Sequence, residues 1–140
     1  MNKICVVCFA NYCRSPVAEQ ILSKKFKSKY EVISAGINPL LEAKMDNRSR
    51  NYLESVDLEI KPHIPRKINY EIMRECKYIF ALDFIVLQIL NKNFKKYQSK
   101  IMLLNYQNPK IRLNDPYAFN NQDYISIMEN IMEVCEKIDI

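Results

Sequence analysis

The chain has 140 residues, enough for one domain with a buried core but not for two. Hydrophobic residues make up 49% and charged residues 26%, a globular balance that excludes a disordered, highly charged chain. The net charge of +5 comes from scattered lysines without interleaved aromatics, which excludes a nucleic-acid-binding stripe.

No apolar run approaches the ~20 residues of a membrane helix. The opening stretch, Ile4 to Cys8, is too short for a signal peptide, and no small-residue cleavage site follows it, so a cytoplasmic location is expected. Ile4 to Phe9 reads as a buried strand rich in β-branched residues. Ser15-Pro16 is a helix start, with Ser15 at the N-cap and Pro16 at the first helical position. Val17, Ile21, Leu22 and Phe26 form the apolar face of that helix. Glu31 to Ala35 is a second strand, ended by Gly36, the one glycine of the chain. Asp46 to Val56 reads as a more polar helix and Tyr78 to Leu82 as a third strand. Asp83 then caps a helix whose face carries Ile85, Val86, Ile89 and Leu90. Ile101 to Leu104 is a fourth strand. The last helix, capped by Asn121, has the clearest period: Tyr124, Ile127, Met128, Ile131, Cys135 and Ile138 share one side. Continuous apolar strands alternating with amphipathic helices predict an α/β domain with a parallel sheet covered on both faces. In such folds ligands gather at the carboxyl ends of the strands. The first such end is Cys8.

Five cysteines without a secretion signal argue against a disulfide scaffold. Cys5-x-x-Cys8 has zinc-ligand spacing, but no second Cys/His pair follows it, and in a strand the two side chains face opposite ways. No metal and no cofactor are therefore expected.

Cys8-Phe9-Ala10-Asn11-Tyr12-Cys13-Arg14-Ser15 is a Cys-x5-Arg-Ser segment between a strand and a helix start. Successive backbone N–H groups in a tight loop make a nest for an anion, and the helix N-terminus adds donors and the positive end of its dipole. Such a setting favours the thiolate form of a central cysteine. Arg14 can hold two phosphate oxygens through its planar fork, and Ser15 can donate to the sulfur. Asn11 tolerates positive φ and can hydrogen-bond inside the loop.

The run from Ile4 to Glu19 resembles the N-terminal signature of the low-molecular-weight protein-tyrosine phosphatases, V-C-x-G-N-x-C-R-S-P-x-A-E. The likeness continues through Ser34-Ala35-Gly36, His63-x-x-Arg66, Leu82-Asp83 and Asp115-Pro116-Tyr117, and so covers residues 1–140 as one phosphatase domain. It implies a four-stranded parallel sheet in the order 2-1-3-4 with helices on both faces. It also implies hydrolysis of phosphotyrosine through a phosphocysteine, with Cys8 as nucleophile, Arg14 as phosphate clamp and Asp115 as general acid. Read without the resemblance, Asp115-Pro116-Tyr117 is merely a turn. The resemblance further implies that Ser34 and His63 brace Asn11, with Ser15 joining them, and that the Cys13 thiol lies near Cys8, making the enzyme redox-sensitive. Tyr12 and Tyr117 are expected to line the mouth and sandwich a phenyl phosphate. Two departures stand out. Ala10 replaces a family glycine, at a cost of about 1–2 kcal/mol if that residue takes positive φ. Ala118-Phe119 replaces two glycines and is expected to stiffen or enlarge the acid-loop rim.

Three other functions compete. A thioredoxin-coupled arsenate reductase shares the fold and loop but needs two cysteines just after the third strand, where this chain has Leu82-Asp83-Phe84-Ile85. An arginine phosphatase carries threonine where this chain has Tyr12. A non-catalytic phosphate-binding module would normally have lost the nucleophile, clamp or acid. The expected partners are a phosphotyrosine protein and a cognate tyrosine kinase, with neither nucleic acid nor membrane.

Overall fold

A computed structural model describes residues 2–140. Its centre is β1 (Asn2–Cys8), in which Ile4, Cys5, Val6 and Val7 are wholly buried. A strand buried on both faces needs a sheet neighbour on each edge and helices above and below. β2 (Tyr30–Gly36) and β3 (Cys76–Ala81) pair with β1 in parallel, and β4 (Ile101–Leu103) pairs with β3. The order β2-β1-β3-β4 is the one the family resemblance implies.

Strand alternation splits the core in two. Ile4, Val6 and Cys8 face α1 (Ser15–Lys25), α2 (Asn47–Ser55) and α5 (Asn121–Lys137). Cys5 and Val7 face α3 (Tyr70–Glu75) and α4 (Phe84–Asn93). Cys5 and Cys8 thus lie on opposite sides of the sheet. All six residues read as the inner face of α5 are buried. Among the described residues no helix is long and apolar enough to cross a membrane.

Several local expectations need correction. Arg14, not Ser15, is the N-cap of α1, and it makes no side-chain capping bond. The Ser15 hydroxyl is taken by the loop before it. Asn120 rather than Asn121 caps α5, accepting from Asp123 N–H. Ile85 points to solvent, leaving Val86 and Leu90 to bury α4. α3, capped by Asn69, and a 3-10 segment at Lys95–Lys100 were not expected at all. At six residues each they are too short to show an apolar period.

Candidate active site

β1 delivers Cys8 to the carboxyl edge of the sheet, and residues 9–14 turn from there into α1. The loop holds its shape by turning its carbonyls outward. Cys8 O accepts from Ile37 N–H (3.1 Å), Phe9 O from Asn38 N–H (2.8 Å) and Ala10 O from Leu40 N–H (3.2 Å). Asn11 O accepts from His63 Nε2 (2.8 Å), Tyr12 O from Asp46 N–H (3.0 Å) and Cys13 O from Ser49 Oγ (2.7 Å). A trans peptide points its C=O and N–H in opposite directions. Six outward carbonyls therefore turn the N–H groups of the loop inward, around Cys8. Such an arrangement is what a nest for an anion requires.

Two donors meet the sulfur. Asn11 N–H lies 3.2 Å from Cys8 Sγ and Ser15 Oγ lies 2.9 Å from it. Ser15 Oγ accepts from Asn11 Nδ2 (2.8 Å), so its own hydrogen is available to the sulfur. Asn11 adopts φ 53°, in the left-handed region that Asn tolerates. Its side chain fixes it there: Nδ2 also donates to the buried Ser34 Oγ (3.0 Å), and Oδ1 accepts from Arg66 N–H (3.0 Å). Asn11 thus meets Ser15 and Ser34 through its side chain and His63 through its backbone carbonyl.

Ala10 does not take positive φ; among the described non-glycine residues only Asn11 and Asp57 do. The strain expected of Ala10 is therefore absent. Gly36 is needed for a different reason. A Cβ there would lie 2.9 Å from both Asn11 Cβ and Phe9 O, so a side chain on β2 would push the loop outward.

Arg14 is 2% exposed, and its Nη1 donates to Asp83 Oδ2 (2.8 Å) and to Leu113 O (2.7 Å). Those two bonds use the far end of the guanidinium. Nε and Nη2, with their three hydrogens, remain for a ligand. Asp83 also caps α4, its Oδ1 accepting from Val86 N–H (2.8 Å).

A cleft of about 340 Å3 brings together Cys8, Phe9, Ala10, Tyr12, Cys13, Arg14, Asn38, Leu40, Asp115 and Tyr117. Asp115 is exposed, and its Oδ1 accepts from Tyr117 N–H (3.1 Å), while Pro116 is buried behind it. The Tyr12 and Tyr117 rings lie 6.2 Å apart and 57° off parallel. A flat ring held between two parallel rings needs about 7 Å, two van der Waals contacts. The two tyrosines form one wall here, not a sandwich. Burial pushes the Cys13 thiol up to about 12, and burial also pushes up the Tyr12 phenol. Burial lowers the pKa of His63; the bond to Asn11 opposes this and the charge of Arg66 adds to it. A carbonyl only accepts, so Nε2 carries the ring hydrogen. The buried Nδ1 has no partner among the described residues.

The profile of the family described as low molecular weight phosphotyrosine protein phosphatase matches residues 3–139. The chain belongs to this family. Among similar proteins is the low molecular weight protein-tyrosine-phosphatase Wzb of Salmonella typhi, 33% identical over 94% of this chain and 87% of its own. The mouse low molecular weight phosphotyrosine protein phosphatase is 28% identical over 96% of this chain and 92% of its own. The crystal structure of tyrosine phosphatase Wzb from Escherichia coli K30, in complex with sulphate, superposes with a TM-score of 0.90. At 23% identity, over 97% of this chain and 94% of that one, it speaks for the fold.

One residue that holds the site of this phosphatase-family chain together escapes the sequence reading of single residues. Asp83 read as a helix cap, yet a carboxylate has two oxygens, and Leu82-Asp83 was already among the family landmarks.

Proposed function

We propose that this cleft hydrolyses phosphotyrosine in proteins, with Cys8, Arg14 and Asp115 in the roles of nucleophile, clamp and acid. The observation that carries the reading is Cys8 Sγ between the Asn11 N–H and Ser15 Oγ donors, in one cleft with Arg14 and Asp115. The inward N–H groups and the free edge of Arg14 hold the three non-bridging phosphate oxygens. The Cys8 thiolate attacks phosphorus, forming an S–P bond as the bond to the phenolic oxygen breaks. Asp115 gives that oxygen its proton. The resulting carboxylate then takes a proton from water, whose oxygen attacks phosphorus. The S–P bond breaks, releasing phosphate and restoring the thiolate.

Phe9, Tyr12, Leu40 and Tyr117 give the cleft an apolar wall that suits an aryl ester. Tyr12 in place of threonine favours this over phosphoarginine. Asp83, which holds Arg14, stands where an arsenate reductase needs a cysteine region. Cys76 lies across the sheet from Cys8. A phosphotyrosine substrate requires a tyrosine kinase to make it, and five unpaired cysteines suit a cytoplasmic, reducing setting. Redox sensitivity belongs to the same reading. Cys8 and Cys13 share the cleft, but a thiol held neutral captures an oxidised Cys8 slowly.

The test is hydrolysis of aryl phosphates in the presence of a chelator. Turnover without added metal is expected, with none in Cys8→Ser. Asp115→Asn should lower kcat/KM for phenyl phosphate by about 10²–10⁴-fold, and that for esters with better leaving groups less. Full activity in Cys8→Ser, or equal losses across leaving groups in Asp115→Asn, would remove those roles.

A further inference from the structure

We infer that Arg48 is a positioning residue that sets the acid loop over the phosphate loop; the inference rests on the reading of Asp115 as the acid. Arg48 lies in the first turn of α2, and its guanidinium reaches in two directions. One is toward the segment after Asp115: Nη2 donates to Tyr117 O (3.0 Å) and Nη1 to Phe119 O (3.1 Å). The other is toward Asp46, with Nε on Oδ1 (3.1 Å) and Nη2 on Oδ2 (2.9 Å). Its plane also lies over the Tyr124 ring, 4.0 Å from the centroid. Among the described residues no other side chain from outside residues 115–119 hydrogen-bonds that segment. Its remaining bonds are local, Tyr117 N–H to Asp115 Oδ1 and Phe119 N–H to Pro116 O.

Asp46 is itself fixed to the phosphate loop. Its N–H donates to Tyr12 O (3.0 Å), and the Cys13 thiol lies 3.9 Å from Oδ2. The next side chain of α2 adds another tie: Ser49 Oγ donates to Cys13 O and pairs with Tyr124 Oη. The chain of contacts therefore runs from the loop carrying Cys8, through Asp46 and Arg48, to the loop carrying Asp115. A planar fork with five donors suits this task, because it can serve a carboxylate and two carbonyls at once. A loop that lacks the family glycines still needs its place fixed, and a displacement of about 1 Å in an acid can cost about 10²-fold in rate.

The test compares phenyl phosphate with 2,4-dinitrophenyl phosphate, whose leaving group needs little protonation. Arg48→Met keeps an apolar side chain over Tyr124 but loses the donors. It should lower kcat/KM, which reads the steps through formation of the S–P bond, by about 10–10²-fold for phenyl phosphate. The dinitrophenyl ester should stay near wild type, as should the inhibition constant of inorganic phosphate, which reads the phosphate loop alone. In an Asp115→Asn background Arg48→Met should cost nothing more. Equal losses on both esters, weakened phosphate inhibition, or an effect that multiplies with Asp115→Asn would overturn the inference. Should Arg48→Met fail to fold, Arg48→Lys carries the same comparison. One ammonium cannot reach Asp46 and both carbonyls, so its leaving-group dependence should steepen. A wild-type profile in folded Arg48→Lys would likewise overturn the inference. If Asp115→Asn alone shows no leaving-group dependence, it is the acid assignment that fails.

Discussion

Asp83 divides its carboxylate between two tasks, with one oxygen on the first turn of α4 and the other on the buried Arg14 guanidinium. An asparagine there has a single acceptor for both donors. Asp83→Asn should therefore cost about 1–3 kcal/mol in urea unfolding. It should also reduce kcat/KM for aryl phosphates by about 10–10²-fold, as the clamp loses its anchor. Wild-type kinetics in that variant would show that Leu113 O alone sets Arg14. The contrast with Asn11 explains what a sequence shows. Asn11 sits within four residues of Cys8 and Ser15, so loop chemistry alone pointed to its role. The Arg14–Asp83 pair joins residues 69 apart, and the Arg48 bonds reach as far. Local pattern carries no trace of such pairs. Ser15 was misread for a related reason, since a serine before a helix can cap it or turn back, and only its neighbours in space decide.

At the scale of elements, the phosphate loop is held by what β2 lacks. Gly36 has ordinary backbone geometry, so its value lies in the space left for Asn11 and Phe9. Gly36→Ala should destabilise the fold by about 1–3 kcal/mol, the range for overpacking. It should weaken phosphate inhibition as well, because the inserted methyl meets the loop before it meets the core. Unchanged phosphate inhibition in a destabilised Gly36→Ala would mean that β2 gives way instead. Elements were legible where apolar spacing runs long, as in β1 and α5. They were lost where it is short, as in α3, or where an apolar residue faces water, as Ile85 does.

For the whole molecule, the alternation of strands and helices gave the α/β class, but strand order came only with the resemblance, because pairing partners are chosen across the chain. Titration also belongs to this scale. His63 has a folded pKa below its ordinary value of about 6.5, so the unfolded chain binds the proton more readily. Its contribution is present above that value and is lost as pH falls through the folded pKa. Glu19 works the other way: burial raises its carboxyl, and its share is lost as pH rises. Urea unfolding between pH 5 and 8 should thus show wild type losing ground to His63→Gln as pH falls. Parallel curves would contradict this. The grip on Arg14 has one more consequence, for the order in which the protein is made. Leu113 O lies 99 residues after the arginine it holds, and Asp115 comes two residues later. A growing chain on the ribosome makes its phosphate loop before any of the groups that hold Arg14 or serve as the proposed acid. Asp83 gives Arg14 its first anchor, and the second anchor and the proposed acid follow together, later in the chain. On the proposed mechanism, a nascent chain that stops short of Leu113 has a half-anchored clamp and no acid, so its hydrolysis is slow.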